Sequence, residues 1–175
     1  RGFIMNNTMA DFSPKVGVRT TQGLAYGMAN AVRPGKTPLS SMSPTIVLKD
    51  GEPVLAVGSA GGPRIITSTL QLIINTLDYG MMMDSAVKTP HMCCLTRDQG
   101  LELEEGFSPD TVELLEARGH KIAGTTDFGV LLVMPNGIMK KDGQFFPGGT
   151  SRVDGGGGVL TKAGTAAIDG ICFKF

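Results

Sequence analysis

Two β-branched runs on either side of Asp50-Gly51 constrain the fold of this chain more than any other feature of its sequence. Thr45–Lys49 precedes the dipeptide and residues 54–57 follow it. Asp-Gly between two such runs is the signal for a two-residue type I′ turn, in which both turn residues have positive φ. The sequence therefore predicts a hairpin of two antiparallel strands at this point.

Helical spacing follows the hairpin. Apolar residues recur at the interval of one helix face at Ile66, Leu70, Ile73 and Leu77. Pro63 suits the first helical turn, where its missing N–H costs nothing, and Gly80 is placed to end the helix. The sequence predicts a helix that begins directly after the glycine-rich segment Gly58-Ser59-Ala60-Gly61-Gly62.

Two further helices and several strands are predicted elsewhere. Residues 81–87 begin a helix that Pro90 stops, and Ser108-Pro109-Asp110 starts another that ends at Gly119. The predicted strands are residues 2–5, a half-exposed Leu101–Glu104, residues 121–123 and residues 130–134.

Other stretches are predicted to be irregular. Residues 11–43 are rich in Gly and Pro with little periodicity, which is typical of a long loop. Pro135-Asn136-Gly137 is predicted to turn the preceding strand into Ile138-Met139. Residues 153–175, which include four consecutive glycines, are interpreted as a linker and an appended tail. Residues 1–152 then form the main domain.

Composition excludes some classes of function. The chain has 175 residues, enough for one domain with a sizeable core, and it has 16 basic and 16 acidic side chains. A net charge of zero gives no long-range field to attract phosphates, so neither nucleic acid nor a membrane surface is expected as a partner. The apolar runs are far shorter than the ~20 residues of a membrane span, so no span is predicted.

The first residue and the cysteines carry two further expectations. Residue 1 is Arg, and no secretory leader opens the chain, so the sequence is expected to be a piece of something longer. Cys93, Cys94 and Cys172 are too few and too close together for a disulfide framework. His91-Met92-Cys93-Cys94 lacks the second ligand pair that a zinc site needs, so neither a metal nor a cofactor is predicted.

Gly61 and Gly62 are the first candidate site residues. Two glycines between a strand and a helix start can bring bare backbone N–H groups against a ligand oxygen. The partial positive charge of a helix N-terminus favours a developing oxyanion at such a place. The alternative interpretation is a tight strand-to-helix turn without a ligand, since glycine is common in turns.

Two loop segments carry the remaining candidates. Ser40 and Ser41 lie between two prolines, which would hold their hydroxyls as donors to a carboxylate. Thr8 and Asp11 lie in a segment whose hydroxyl, amide and carboxylate groups suit an ammonium ion. A serine-rich turn and an Asx turn are the alternative interpretations, and Asn6-Asn7-Thr8 is also a formal N-glycosylation acceptor.

These segments together resemble the small subunit of the γ-glutamyltranspeptidase family, over about residues 2–152. The matching pieces, in chain order, are Gly2-Phe3-Ile4-Met5-Asn6-Asn7, Asp11-Phe12-Ser13, Asn30-Ala31-Val32, Pro38-Leu39-Ser40-Ser41-Met42-Ser43-Pro44-Thr45, Gly58-Ser59-Ala60-Gly61-Gly62, Asp78-Tyr79-Gly80 and Gly106-Phe107-Ser108-Pro109-Asp110. The Ser-Ser-Met-Ser-Pro segment followed by the double glycine is specific to this family.

The resemblance implies an α+β fold, a partial αββα sandwich of the N-terminal-nucleophile hydrolase type. In that class a precursor cuts itself and the freed N-terminal Thr acts as nucleophile, with its own amine as base. By resemblance, Asp11 pairs with the α-amino group of a γ-glutamyl substrate, with Thr8 in the same motif. Ser40 and Ser41 hold the α-carboxylate, and Gly61 and Gly62 supply oxyanion N–H groups.

The resemblance also implies what the 175 residues need as partners. The family's nucleophilic Thr lies upstream of the Gly2 segment, so the chain alone is expected to be inactive. A large subunit and the N-terminal part of the small subunit would complete a γ-glutamyl transferase or hydrolase acting on glutathione-like compounds, located outside the cytoplasm. The alternative is a non-catalytic fragment that acts at most as a ligand-binding or interaction domain.

Overall fold

The computed structural model describes residues 6–13, 15–18, 27–126, 133–152, 158–161 and 164–167. The chain divides into two compact units, Arg1–Ser41 and Met42–Phe175. The strand predicted at residues 2–5 lies outside the described residues, as do residues 130–132 of another predicted strand.

The first unit is built from turns, as the sequence predicts for most of this stretch. Its regular structure within the described residues is two short 3₁₀ helices, Thr8–Asp11 and Met28–Asn30. One parallel bridge joins Ser13 to Ala31, and the Ser13 N–H donates to the Asn30 carbonyl at 2.9 Å. These contacts join the C-terminal ends of the two 3₁₀ helices.

The second unit contains a four-stranded antiparallel sheet in the order β1-β2-β6-β7. Its strands are β1 (Thr45–Lys49), β2 (Glu52–Ala60), β6 (Met134–Lys141) and β7 (Gln144–Gly148). The predicted hairpin is confirmed, because Asp50 and Gly51 have φ of 54° and 82° and join β1 to β2.

The turn predicted at Pro135-Asn136-Gly137 is wrong. These residues lie inside β6 and pair with Ser59, Gly58 and Val57 of β2. The turn is Asp142-Gly143, with φ of 50° and 75°, which joins β6 to β7. A turn dipeptide therefore occurs twice, as Asn136-Gly137 and as Asp142-Gly143, and only the second forms a turn. Gly137 instead lies in a strand, where it faces a helix that leaves no room for a side chain.

Two helices cover one face of this sheet. They are α1 (Ile65–Leu77) and α2 (Met83–Lys88), close to the bounds that the sequence predicts. The buried core that they share with the sheet consists of Leu55, Val57, Leu72, Met83, Ala86, Val87 and Met139. A Cβ on Gly137 would lie 2.7 Å from Met83 Sδ, and one on Gly148 would lie 2.7 Å from the Met83 carbonyl oxygen. The two glycines therefore let α2 approach the sheet closely.

The opposite face of the sheet is open. Ile46 and Phe145 on that face are 67% and 51% exposed. A cavity of about 660 Å³ is lined by residues of all four strands, among them Ala56, Ile138 and Pro147. The sheet thus presents an apolar surface opposite its helices.

A second, three-stranded sheet has the order β3-β4-β5, formed by Met92–Cys93, Leu101–Glu104 and Ile122–Thr126. Between β4 and β5 lies α3 (Pro109–Ala117), whose predicted start is confirmed because the Ser108 hydroxyl accepts the Thr111 N–H. The prediction that Leu101–Glu104 is half-exposed is wrong for its last residue, Glu104. Glu104 is 1% exposed, because Arg152 pairs with it in the interior.

Two short strands occur within the segment interpreted as a tail. They are β8 (Gly158–Thr161) and β9 (Gly164–Ala167), which pair antiparallel. The division of the chain at residue 152 into a main domain and an appended tail stays a prediction.

The order of helices and strands gives an α+β architecture, as predicted. In the part of the chain described, no helix is long and apolar enough to cross a bilayer.

Candidate functional site

The turn between β2 and α1 places Gly61 and Gly62 at a helix start. Gly61 has φ of 140° and Gly62 has φ of 61°, values that L side chains rarely adopt. A short 3₁₀ helix, Gly62–Arg64, then leads into α1, with Pro63 in its first turn. The sequence therefore needs glycine here to change direction between strand and helix.

The carbonyl groups of this turn are directed into the helix. The Gly61 oxygen accepts the Arg64 N–H at 3.3 Å, and the Gly62 oxygen accepts the Ile65 N–H. Because both residues are glycines, no side chain covers the backbone of this turn. A helix start carries partial positive charge, which favours a negative oxygen nearby.

An ion pair fixes the start of α1. Arg64 Nε and Nη2 each donate to one carboxylate oxygen of Glu102 at 2.7 Å, which forms a bidentate bridge to β4. The bond to Glu102 raises the pKa of the Arg64 guanidinium above its usual value. The Ser68 hydroxyl also donates to the Ser59 hydroxyl at 3.1 Å, joining α1 to β2. The sequence does not predict this pair, because Arg64 and Glu102 lie 38 positions apart and meet only in the folded chain.

Thr8 and Asp11 begin and end one 3₁₀ helix in the first unit, and both are half-buried. The Thr8 N–H donates to Asn6 Oδ1 at 3.1 Å. That bond is the Asx turn of the alternative interpretation, and it orders the segment whether or not a ligand binds. The structure therefore brings Thr8 and Asp11 together within a single turn.

Ser40 and Ser41 end the first unit. Ser40 is exposed and Ser41 is half-buried, in an extended stretch that follows Leu39. The Leu39 N–H donates to Asn30 Oδ1 at 2.8 Å, and Asn30 Nδ2 donates to the Asp11 carbonyl at 2.7 Å. The side chain of Asn30 thus joins the Asp11 segment to the stretch that carries the two serines. Asn30 belongs to the motif Asn30-Ala31-Val32, which carries part of the resemblance, but nothing in the sequence indicates its role.

The candidate residues therefore divide between the two units. Thr8, Asp11, Ser40 and Ser41 belong to the first, and Gly61 and Gly62 to the second. Residues 6–41 contribute the groups suited to an amino-acid head, and the turn before α1 contributes the amides suited to an oxyanion.

A metal centre has no ligand set in the described portion. No group of three or more His, Cys, Asp or Glu side chains lies close enough there to hold an ion. Cys93, one of the cysteines considered as a ligand, is buried and accepts a bond from the Thr67 hydroxyl at 3.3 Å. Burial raises the pKa of the Cys93 thiol, which disfavours the thiolate that a metal requires.

Comparison with known proteins gives the fold class. The chain superposes on a γ-glutamyltranspeptidase of Helicobacter pylori with a TM-score of 0.76 and 40% identity, covering 87% of this chain and 82% of that chain. A cephalosporin acylase of Bacillus halodurans has the same fold, with a TM-score of 0.70 and 24% identity over 95% of this chain and 28% of that one. The prediction is confirmed: the fold is α+β, a partial αββα sandwich of the N-terminal-nucleophile hydrolase type.

Sequence comparison identifies the family. A glutathione hydrolase proenzyme of Escherichia coli (strain K12) is 52% identical over 122 residues, which are 70% of this chain and 21% of that protein. The chain spans about a fifth of the length of the glutathione hydrolase proenzymes that it matches. The model of the Gamma-glutamyltranspeptidase family matches residues 1–157. The chain belongs to the γ-glutamyltranspeptidase family.

Proposed function

We propose that this chain is the part of a γ-glutamyl transferase or hydrolase that binds the γ-glutamyl group of glutathione-like compounds and stabilises the oxyanion of the reaction. Assayed alone, the 175 residues are expected to be inactive, because none of them takes the role of the family's nucleophilic Thr. That Thr would come from a segment upstream of the Gly2 motif in the completed enzyme.

The observation that carries this proposal is the geometry of Gly61 and Gly62. Both have positive φ in the turn before α1, and their carbonyls accept the N–H groups of Arg64 and Ile65. When a nucleophile attacks a γ-glutamyl carbonyl, the oxygen gains a negative charge, and in the proposal the backbone N–H groups of this glycine pair donate to it. Hydrogen bonds of this kind are worth more in the transition state than in the bound substrate, so they raise the rate.

Charge complementarity supports the proposed binding residues. The head of a γ-glutamyl group carries an α-ammonium and an α-carboxylate. In the proposal, the Asp11 carboxylate binds the ammonium, with Thr8 beside it in the same turn, and the Ser40 and Ser41 hydroxyls donate to the carboxylate. The bonds that Asn30 makes to the Asp11 carbonyl and the Leu39 N–H support this grouping.

The open sheet face supports the proposal that another segment completes the fold. In an αββα sandwich two sheets pack face to face, with helices outside them. Here α1 and α2 cover one face of the sheet, whereas Ile46 and Phe145 stand exposed on the other. We therefore propose that the large subunit and the upstream part of the small subunit supply the second sheet. A location outside the cytoplasm stays a prediction from the resemblance.

The test is reconstitution. The chain is expressed with the upstream segments of its family and assayed for release of the chromophore from a chromogenic γ-glutamyl amide. Asp11→Asn should lower kcat/KM by about 100-fold, because it leaves the substrate ammonium without its counter-charge. Asp142→Asn, at the tip of the β6–β7 hairpin, is the matched control and should leave kcat/KM unchanged, since Asn tolerates the positive φ of that position.

The outcomes separate the two candidate functions. Turnover that needs Asp11 and the upstream segments supports the enzymatic proposal. No turnover in any reconstitution, with glutamate binding that Asp11→Asn abolishes, would instead assign the chain to a non-catalytic ligand-binding domain.

A further inference from the structure

Asn30 makes one local bond in its own 3₁₀ helix and three bonds to other stretches of the first unit. Its backbone N–H donates to the Gly27 carbonyl at 3.1 Å, and its carbonyl accepts the Ser13 N–H at 2.9 Å. Its side-chain Nδ2 donates to the Asp11 carbonyl at 2.7 Å, and its Oδ1 accepts the Leu39 N–H at 2.8 Å. All four distances are those of well-formed hydrogen bonds.

The two side-chain bonds join stretches that no regular secondary structure connects. Asp11 lies 19 residues before Asn30 in the sequence, and Leu39 lies 9 residues after it. The regular structure in the described parts of this unit is two 3₁₀ helices and one bridge, and neither 3₁₀ helix includes Leu39. A planar amide with one donor and one acceptor sets both the separation and the relative orientation of the two backbones it joins.

The position of these bonds gives them a consequence for binding. One ends on the backbone of the residue proposed to bind the substrate ammonium, and the other on the residue directly before Ser40. We propose that Asn30 is a positioning residue for the substrate head: it sets the spacing between the cation-binding carboxylate and the anion-binding hydroxyls. This inference rests on the proposed function.

The ligand class follows from the charges of these groups. One carboxylate and two hydroxyls suit a ligand that carries both an ammonium and a carboxylate, as in an α-amino acid head. Loosening the separation weakens binding of such a two-charge head, whereas a ligand with only one of the charges needs no fixed spacing. Asn30 therefore acts on affinity for zwitterionic heads and does not touch the reacting atoms.

Lys36 reinforces the same segment. Its ammonium group donates to the carbonyls of Ala29 and Ala31, the residues on either side of Asn30. The backbone around Asn30 is thus held independently of its side chain. Asn30→Ala should for this reason remove the two side-chain bonds without unravelling the 3₁₀ helix Met28–Asn30.

The test uses the reconstituted enzyme and compares Asn30→Ala with Asn136→Ala. Asn136 is a matched control, because its Nδ2 donates to the Met134 carbonyl at 3.0 Å and its Oδ1 accepts the Thr150 N–H at 3.3 Å, in the second unit. Asn30→Ala should raise KM for the γ-glutamyl donor about tenfold and change kcat by less than about threefold, since it weakens uniform binding. Asn136→Ala should leave KM unchanged.

A second variant, Asn30→Asp, tests whether the two side-chain bonds of Asn30 are needed, because it keeps the size and shape of the side chain. Asn30→Asp keeps an acceptor for the Leu39 N–H but places a carboxylate oxygen against the Asp11 carbonyl oxygen, so its KM should rise at least as far as that of Asn30→Ala. Calorimetry with glutamate should give the same order of affinities, and succinate, which has no ammonium group, should bind equally weakly to all three.

The outcomes distinguish this inference from the proposed function. If the unsubstituted enzyme turns over the donor and Asn30→Ala has the same KM, or lowers kcat alone, the positioning role is overturned while the proposed function stands. If the unsubstituted enzyme shows no turnover, glutamate binding decides: a weaker affinity of Asn30→Ala supports the inference, and equal or undetectable binding overturns it.

Discussion

Arg152 and Glu104 form an ion pair in the interior of the second unit, with side chains 1% and 2% exposed. Arg152 Nε donates to Glu104 Oε1 at 2.7 Å, and Nη2 contacts Glu104 Oε2. The guanidinium also donates to the carbonyls of Val87 at 2.7 Å and Thr89 at 3.0 Å, at the end of α2. One side chain late in the sequence therefore ties together a helix end and the central strand of the second sheet.

This pair gives the first prediction. Glu104→Gln keeps the shape of the side chain but leaves the buried Arg152 charge without its counter-charge, so it should lower the free energy of unfolding by about 3–5 kcal/mol. Glu52 is exposed, and its Oε2 lies 3.3 Å from Lys140 Nζ. Glu52→Gln should change the free energy of unfolding by less than about 1 kcal/mol. Urea denaturation of the full chain measures both values, and equal effects of the two substitutions would show that the buried pair does not stabilise the fold.

The contact of Gly137 with α2 gives the second prediction. A Cβ at this position would lie 2.7 Å from Met83 Sδ and 2.8 Å from Val57 Cγ1. Gly137→Ala should therefore force α2 away from the sheet and destabilise the chain by about 1–3 kcal/mol.

Gly58→Ala is the control for this substitution. Gly58 lies on the neighbouring strand β2, and a Cβ there would meet nothing within 4 Å. The urea midpoint of the Gly58→Ala variant should stay close to that of the unsubstituted chain. A midpoint that falls as far for Gly58→Ala as for Gly137→Ala would mean that the contact with α2 does not set the cost at Gly137.

These two features show where sequence reasoning succeeds and where it fails. The hairpin at Asp50-Gly51 and the cap at Ser108 are encoded by residues next to one another, so their local chemistry predicts them. Glu104 pairs with a residue 48 positions away, and the alternation of Leu101–Glu104 by itself indicates an exposed side chain. Gly137 carries a turn signal that tertiary packing overrides, because the helix needs the space.

The same distinction holds for the candidate site. The turn at Gly61 and Gly62 follows from the order strand, glycine pair, helix, which is local information. The linking bonds of Asn30 reach Asp11 and Leu39 through the folded backbone, and no periodicity or spacing indicates them. The sequence therefore predicts the turn at the glycine pair, and it does not predict the bonds that Asn30 makes. The ligand contacts of the candidate residues stay a prediction.

The neighbouring cysteines give the third prediction. Cys93 is buried, with a thiol pKa raised by burial, whereas Cys94 is exposed. In a Cys172→Ser background, Cys94 should react with an aromatic disulfide reagent at pH 8 at least about tenfold faster than Cys93, because access and the thiolate fraction both disfavour Cys93. Cys94→Ser should abolish the fast phase and Cys93→Ser should leave it intact. A fast phase that survives Cys94→Ser would contradict the burial of Cys93.

His91 lies beside the ion pair and gives the fourth prediction. It is 1% exposed, and within the described residues neither ring nitrogen has a hydrogen-bond partner. Its backbone N–H donates to Glu104 Oε2 at 2.7 Å. Burial and, to a smaller extent, the Arg152 charge lower the pKa of the His91 imidazole to about 4, and the Glu104 charge offsets only part of this shift.

The sign of the pH dependence follows from this pKa. The unfolded chain binds a proton on His91 near pH 6.5, whereas the folded chain binds it only near pH 4, so acid favours the unfolded state across that interval. The contribution of His91 to stability should be fully present above pH 6.5 and should fall by about 3 kcal/mol as the pH is lowered to 4.

His91→Met measures this contribution, because an unbranched apolar side chain fills the same space and does not titrate. Urea denaturation at pH 7.5, 6, 5 and 4 should show stability that falls less steeply with acid in His91→Met than in the unsubstituted chain, with the two curves diverging below pH 6.5. His120→Met is the matched control, since His120 is exposed, and it should leave the slope unchanged. Parallel curves for His91→Met and the unsubstituted chain would mean that the folded and the unfolded chain bind this proton at the same pH.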